Sequence, residues 1–389
     1  MKIKHMIGAV AGMLCFSTCT KPTIEATVQC NVMSNDQHSK AQQYRTILQE
    51  ARERGLPGMT LLIKDNEGVW TESAGFADIG RQVAMQPCHI SKVASITKLF
   101  MGVLTLQLVA EQRLDLDRKI SDYLDAATLK GIANADEVTV RQLLNHTSGI
   151  YDVIKDTEFY LSILNNPPYH RTQEDILAFV RNRPAAFAAG SRAGYSNTNT
   201  LLLSMIIDRQ AGSHASLLHS RIIDPLGLEN TFYYYHDKLP EGKVAQGYYD
   251  LYNNGTIANL SSYNTGSGNG YTGIYSSVSD LLKFSEALFE RKTLLPGSYL
   301  DTLLTFNSYE EEGSNRLLGL GVMKDFINKG NDYAYGHRGR DLAYSADLFY
   351  FPERQTTMVL IVNYGTDGNS ALRPVFFEMR DKIVGVITR

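Results

Sequence analysis

The segment from Leu99 to Leu108 constrains this chain more than any other. Leu99, Phe100, Val103, Leu104, Leu106 and Leu108 make a helix that is apolar on most of its sides. A helix with no polar face has to lie inside a fold large enough to surround it. With 389 residues, 43% of them hydrophobic and 20% charged, the chain can supply that surround as one large domain or two packed lobes. Ser95-Ile96-Thr97-Lys98 opens the same helix and sets a hydroxyl and an amine one turn apart on one face. A serine hydroxyl is a weak nucleophile until a neighbour accepts its proton, and Lys98 is within reach to do so. Ser-x-x-Lys alone is cheap, since roughly one or two chance matches are expected in a chain this long. Its setting has to carry the inference.

The flanking sequence gives that setting. Gln42 to Gly55 reads as an amphipathic helix closed by Gly55 and Pro57. Met59 to Lys64 and Val69 to Ala74 read as strands joined by the turn Asp65-Asn66-Glu67-Gly68. Gly75 to Gln86 is rich in turn residues. From Leu114 to about Phe289 the pattern is mostly helical with long loops, including the polar, glycine-rich stretch Tyr248 to Thr272. Strands then return at Leu317 to Met323, Tyr333 to Gly339, Tyr344 to Tyr350 and Thr357 to Asn363, followed by a helix from Ala371 to Val384. Consecutive strands with short turns pair antiparallel. The expected fold class is α+β (α/β two-lobed), with an antiparallel sheet built from the N- and C-terminal segments, helices on its flanks, and an inserted, mostly helical lobe at about 114–289. Gly266-x-Gly268-x-Gly270 lacks the strand-to-helix setting of a dinucleotide loop.

Lys2, Lys4 and His5 precede the apolar stretch Met6 to Phe16 and then Ser17, Thr18 and Cys19, the order of an export signal. The stretch is too short to span a membrane. Phe16-Ser17-Thr18-Cys19 resembles a bacterial lipoprotein cleavage site, with Phe16 in place of the usual Leu and Thr18 in place of Gly or Ala. Residues 1–18 are therefore expected to be a signal peptide and 19–41 a polar tether leading to a domain at 42–389. Lipidation at Cys19 is the expectation, with ordinary cleavage nearby as the alternative. The protein would then be exported, periplasmic or anchored in the outer membrane through Cys19. Cys30 and Cys88 remain, either as a pair in an oxidising compartment or as two unpaired thiols. A net charge of −3 with no basic run offers nothing to nucleic acid. No Cys/His spacing suggests a zinc site. A small-molecule or peptide substrate, no cofactor, no metal and a monomer are expected.

Two further motifs follow Ser95-x-x-Lys98 in order: Tyr195-Ser196-Asn197 and His337-Arg338-Gly339. Tyr252-Asn253-Asn254 and Ser267-Gly268-Asn269 compete for the second place. Tyr195 is preferred because Ala188-Ala189-Gly190 precedes it and the apolar segment Leu201 to Ile207 follows. Taken in order, the three motifs resemble those of the serine β-lactamase and penicillin-binding protein superfamily. Tyr-x-Asn and His-x-Gly look like the class C branch with its D-alanyl-D-alanine carboxypeptidase and esterase relatives. The resemblance runs from about Leu56 to Asn363. It includes Leu56-Pro57-Gly58-Met59, Gly75-Phe76-Ala77-Asp78, Leu143 to Gly149 and Gly273-Ile274-Tyr275-Ser276-Ser277.

The resemblance implies the roles. Ser95 would attack a carbonyl and form an acyl-enzyme, with Lys98 or Tyr195 taking its proton. Asn197 would orient Lys98 and donate to the substrate amide. The backbone N–H groups of Ser95 and Arg340 would form the oxyanion hole, and Gly339 would let substrate lie close to its strand. His337 stands where a lysine is common and would polarise the Tyr195 hydroxyl. Arg338 offers a fork for a substrate carboxylate, or closes the pocket that β-lactams use, or points to the other face of its strand. His146 is expected to be structural, and Asp152, Asp280 and Asp341 to be caps and turn residues, so a Ser-His-Asp triad is disfavoured. The class A general-base glutamate has no counterpart.

The expected function is an exported serine hydrolase acting through an acyl-enzyme on D-alanyl peptides or β-lactam-like amides. A carboxylesterase on the same scaffold is the second reading. A non-hydrolytic protein that binds cell-wall peptides is the third, and intact Ser95, Lys98 and Tyr195 speak against it.

Overall fold

The computed structural model describes residues 34–308 and 316–389. The expected signal segment, Cys19, Cys30 and most of the tether lie outside the described residues. Helix α1 (Ala41–Glu53) buries Tyr44, Ile47, Leu48 and Ala51 on one face. It ends where Gly55 takes a φ of +104° ahead of Pro57. Strands β1 (Gly58–Asp65) and β2 (Gly68–Asp78) form the expected hairpin, with Asp65 opposite Gly68 and Gly68 at a φ of +105°. Two short strands, β3 (Val83–Ala84) and β4 (Ser91–Lys92), lead to α2 (Thr97–Ala110). In α2 the side chains of Leu99, Phe100, Val103, Leu104, Leu106 and Leu108 are all 0% exposed, each contributing about 1.5–3 kcal/mol on burial.

The middle region holds α3 (Ala126–Leu129), α4 (Val140–Leu144), α5 (Thr157–Asn165), α6 (Gln173–Ala178), α7 (Asn197–Ala211), α8 (His214–Leu218) and α9 (Val278–Ser285). It is not purely helical. β5 (Thr231–Tyr233), β6 (Tyr248–Tyr249), β7 (Ala258–Asn259) and β8 (Ile274–Ser276) interrupt it, and β8 pairs with β4 and β5 in a small three-stranded sheet. Strands this short show no alternation to read in a sequence.

After α10 (Tyr299–Leu303) come β9 (Asn307–Ser308), β10 (Leu317–Leu318), β11 (Met323–Asp325), β12 (Ala334–Arg340), β13 (Ser345–Phe351), β14 (Thr356–Val362) and α11 (Arg373–Ile387). The single strand expected at Leu317 to Met323 is instead two strands folded back on each other. Gly321 takes a φ of +80°, and the Gly319 N–H donates to the Val322 carbonyl at 2.8 Å.

The two chain ends do build one sheet, in the order β3-β2-β1-β14-β13-β12-β11-β10-β9, with antiparallel pairs throughout. One face carries Met59, Leu61, Ile63, Phe349, Met358 and Leu360 against α1 and α11. The other carries Leu62, Ala346, Leu348, Val359 and Ile361 against α2, α9 and the helical lobe. Among the described residues no helix is long and apolar enough to cross a membrane.

Candidate active site

A tight turn before α2 puts Ser95 in place. Ala94 takes a φ of +47°, a left-handed conformation that costs about 1–2 kcal/mol for a residue with a β-carbon. The Thr97 hydroxyl holds this turn by donating to the Ala94 carbonyl at 2.7 Å, and it accepts the Ile274 N–H of β8 at 3.2 Å. Ser95 thus sits half-buried in a 3₁₀ turn, Ala94–Ile96, that runs straight into α2. N–H groups in a first turn have no partner inside the helix, so that of Ser95 is left for another acceptor.

Lys98 lies one turn on, 1% exposed, with its Nζ 3.0 Å from the Ser95 Oγ. The same nitrogen stands 2.7 Å from the Asn197 Oδ1 and 2.8 Å from the Tyr271 carbonyl oxygen. Burial pushes the Lys98 amine down to about 7, against the opposing pull of Asp152, Asp367 and Asp341. A neutral amine has two N–H donors and one lone pair. Donating to Asn197 and Tyr271 aims the lone pair at the Ser95 hydroxyl, and after proton transfer an ammonium fits the same three partners.

Asn197 opens α7, and its orientation is set from behind. Its backbone N–H and its Nδ2 both donate to the Asp152 Oδ1, at 2.9 and 3.2 Å. An ionised carboxylate only accepts, so the amide must turn its Nδ2 to Asp152 and its Oδ1 to Lys98. Asp152 is therefore more than the expected turn residue. Burial raises its carboxyl above the usual range, while hydrogen bonds from Asn197 and the Lys98 charge lower it.

Tyr195 packs over this cluster, with Lys98 Nζ 5.1 Å from its ring centroid. His146 also stacks on that ring, with 4.4 Å between the ring centroids. The His146 Nδ1 accepts the Ser196 N–H at 3.2 Å, and burial followed by the Lys98 charge holds the imidazole down at about 3. A neutral, packed ring of this kind positions Tyr195 and has no lone pair free at Nδ1. The neighbouring Ser148 hydroxyl donates to the Asn199 Oδ1 at 2.7 Å, tying the His146-Thr147-Ser148-Gly149 loop to α7.

Strand β12 forms the opposite wall. A β-carbon on Gly339 would overlap the Val93 carbonyl oxygen and stand 2.8 Å from the Val93 carbonyl carbon. Gly339 thus makes room for the segment leading to Ser95, a constraint beside the substrate role expected for it. The Asp341 N–H donates to the Tyr344 carbonyl at 2.9 Å, so by the alternation of an antiparallel ladder the Arg340 N–H points to the other edge. On that edge β11 pairs only with Ala334, Tyr335 and Gly336. Among the described residues, the half of β12 from His337 to Arg340 has no strand beyond it. An open strand edge thus lies beside the Ser95 turn.

His337 is 1% exposed, and its Nδ1 donates to the Arg338 carbonyl at 2.7 Å, which leaves Nε2 as an acceptor. Burial, then the charges of Lys98, His146, Arg316 and Arg340, hold it well below the usual histidine range. Arg338 and Arg340 alternate to the other face of β12, towards α11. The Arg340 guanidinium binds the Asp347 Oδ1 at 2.8 Å and the Ala346 carbonyl at 2.6 Å, and lies 4.6 Å from the Phe376 ring centroid. Arg338 still lines the cleft of about 290 Å³ that also holds Ser95, Tyr195 and Asn197.

Three groups here escaped sequence reasoning. The first is the Tyr271 carbonyl, from the glycine-rich stretch. It is fixed by a relay in which the Asp208 Oδ1 meets the His214 Nδ1 at 2.7 Å, the His214 Nε2 meets the Tyr233 hydroxyl at 3.0 Å, and the Gly270 N–H donates to that hydroxyl at 2.7 Å. The second is the ion pair of Asp341, read from the sequence only as a cap or turn residue: its carboxylate meets Lys92 at 2.6 Å in the interior. The third is Asp367, in the turn after β14. Asp280 accepts the Asn230 N–H at 2.7 Å, far from this chemistry. Cys88 is disulfide-bonded, and its partner lies outside the described residues. Among the described residues, His38, Asp65 and Glu67 bring donor atoms within 4.8 Å of one another, at the β1–β2 hairpin and away from the cleft.

Comparison with known proteins returns the same architecture. The family model described as Beta-lactamase matches residues 41–374. A D-stereospecific amidohydrolase from Streptomyces sp. is 28% identical, with a TM-score of 0.75 over 86% of this chain and 97% of that one. A penicillin binding protein from Bacillus halodurans is 26% identical, with a TM-score of 0.72 over 87% of this chain and 98% of that one. A D-aminopeptidase from Brucella anthropi is 25% identical over 356 residues, 88% of this chain. The chain spans 38% to 62% of the length of the curated relatives it matches.

Proposed function

Given that this chain belongs to the beta-lactamase family, we propose that it is an exported serine hydrolase that cleaves amides of D-configured residues, D-alanyl peptides and β-lactam-like amides among them. The observation that carries this reading is the Lys98 amine, brought to about neutral pKa and held 3.0 Å from the Ser95 hydroxyl in a cleft. Similarity to a D-stereospecific amidohydrolase and a D-aminopeptidase supports the D-configured substrate.

Neutral Lys98 takes the Ser95 proton as Oγ adds to the scissile carbonyl carbon. The carbonyl oxygen becomes an oxyanion between the N–H groups of Ser95 and Arg340, each such donor contributing about 2.7–4 kcal/mol in the transition state. Collapse breaks the C–N bond, and the leaving amine takes a proton passed from Lys98 through the Tyr195 hydroxyl. Water then adds to the acyl-enzyme, giving its proton to the Tyr195–Lys98 pair, and the carboxylic acid leaves as Ser95 regains its hydrogen. His337, with Nε2 as an acceptor, steadies the neutral Tyr195 hydroxyl and not a phenolate.

Export and lipid attachment at Cys19 complete the reading, supported by Lys2, Lys4 and the apolar stretch Met6 to Phe16, and by a disulfide at Cys88, which suits an oxidising compartment. The experiment compares hydrolysis of D-alaninamide, D-alanyl-D-alanine peptides, penicillin, their L-configured counterparts and p-nitrophenyl acetate. Turnover of D-configured amides over L-configured ones supports the proposal. Turnover of the acetate ester alone would replace it with the carboxylesterase reading.

A further inference from the structure

Lys92 is a buried cation beside the nucleophile, and the proposed reaction gives it no step. It is 2% exposed and lies three residues before Ser95, in β4. A buried charge persists when it is paired and hydrogen-bonded. The Lys92 Nζ stands 2.6 Å from the Asp341 Oδ2 and donates to the Thr265 hydroxyl at 2.8 Å, and that hydroxyl donates to the same carboxylate oxygen at 2.9 Å. The other carboxylate oxygen accepts the Leu342 N–H at 2.6 Å.

Three segments of the site meet in this triangle. Lys92 leads through Val93 to the Ser95 turn, and Asp341 directly follows Arg340. The same two segments already touch where Gly339 abuts the Val93 carbonyl, so the ion pair is their second contact. Thr265 belongs to the glycine-rich stretch. Its carbonyl accepts the Tyr271 hydroxyl at 2.8 Å, and the Tyr271 carbonyl in turn holds Lys98.

Asp341 also acts on the reacting amine. It lines the cleft with Ser95, and burial of Lys98 is opposed by three carboxylates, Asp152, Asp367 and Asp341. The rings of Tyr195 and Tyr271 flank the Lys98 amine, and burial keeps His146 and His337 neutral beside it. Lys155, Arg316, Arg338 and Arg373 line the cleft wall. Around Asp341 itself stand Asp367 and the phenols of Tyr160, Tyr271, Tyr275 and Tyr344, which burial keeps protonated. Lys92 is the cation in direct contact with Asp341.

We propose that Lys92 is a positioning residue for the Ser95 chemistry: its ion pair with Asp341 offsets the charge that this carboxylate presents to Lys98, and fixes the Ser95 turn to the strand ending in Arg340. This deepens the proposed function and rests on Lys98 being the base there. Without Lys92, an unmatched Asp341 would favour the ammonium form of Lys98, and activation of Ser95 would need a higher pH. A merely structural role would lower rate and stability at every pH and leave the titration where it is.

The rate of Ser95 labelling by a fluorophosphonate, followed against pH on the full chain, reads the Lys98 titration with no substrate having to be known. Lys92→Met is expected to move the acid limb up by about half a pH unit or more, and Asp341→Asn to move it down by about as much, as a nearby unmatched charge allows. The double variant Lys92→Met/Asp341→Asn removes both charges and should return the limb to the wild-type position. Urea melts on the same preparations show which variants are folded, and if Lys92→Met does not fold, Asp341→Asn and the double variant carry the test. An unmoved limb in folded Lys92→Met, an unmoved or raised limb in Asp341→Asn, or a shift that persists in the double variant would overturn the inference. Wild-type labelling without an acid limb would overturn Lys98 as the base and this inference with it, so the two failures are distinguishable.

Discussion

Gly339 and Val93 approach so closely that no side chain fits between them, and this contact joins β12 to the turn that carries Ser95. The two N–H groups proposed as the oxyanion hole, those of Ser95 and Arg340, each lie within two residues of it. Gly339→Ala is therefore expected to cost about 1–3 kcal/mol in stability, typical of overpacking. It should also lower kcat at least tenfold by parting the two donors, more than loss of one hydrogen bond to substrate would explain. Denaturant melts and steady-state kinetics on the same preparation check both, and unchanged kcat would show that the contact does not set the site.

The protonation state of Lys98 should be visible in the rate. In the proposed mechanism its amine, depressed to about 7 by burial, acts as the base when neutral. Activity is expected to fall about tenfold per pH unit below that value and to level off above it. The sign for stability is the same. In the window between about 7 and the ordinary lysine value of 10.5 the unfolded chain binds the proton more readily, so stability rises with pH there. Lys98→Met should remove that slope while abolishing turnover, as urea melts across the window would report.

The Asp208–His214–Tyr233 relay reaches Lys98 only through Gly270 and the Tyr271 carbonyl. Tyr233→Phe leaves the Gly270 N–H and the His214 Nε2 without their partner, a loss of about 1–3 kcal/mol for each buried group. Release of the Tyr271 carbonyl weakens its hold on the ammonium form of Lys98. The acid limb of kcat/KM should therefore move down by about half a pH unit. Stability loss with an unmoved limb would make the relay structural only.

Acid sensitivity should follow from the buried histidines. The folded value for His146 is about 3 and that for His337 is also far below the ordinary 6.5, so both are neutral when folded. As pH falls from the ordinary value, the unfolded chain gains protons that the folded one refuses, and each histidine removes up to about 1.4 kcal/mol per unit. His146→Asn keeps a side-chain acceptor and tolerates the φ of +60° found at that position. It should flatten the fall between pH values of about 6 and 4 in urea melts, and an unchanged slope would contradict the account.

Much of this was legible in the residues themselves. Ser95, Lys98, Tyr195, Asn197 and His337 converge as their motifs imply, because a helix start, a second helix start and a strand each present a side chain at a fixed offset. The central helix and the hairpin at Asp65-Asn66-Glu67-Gly68 could be read from apolar spacing and turn chemistry. What stayed hidden depends on contacts distant in sequence. The Tyr271 carbonyl looks like any loop backbone, Asp152 like a turn residue, and the close packing of Gly339 on Val93 links positions far apart in the chain. β5, β8 and the β10–β11 hairpin are too short to show a period. Arg338 was open between three readings, and the strand alternation turns it towards α11 while keeping it on the cleft.

The central claim is that Ser95, activated by Lys98, is the nucleophile. Intact-mass measurement after treatment with a fluorophosphonate tests it most directly. The account predicts one covalent adduct on the wild-type chain, none on Ser95→Ala, and slow labelling of Lys98→Met. A folded wild-type chain that stays unmodified, or an adduct that persists in Ser95→Ala, would contradict it.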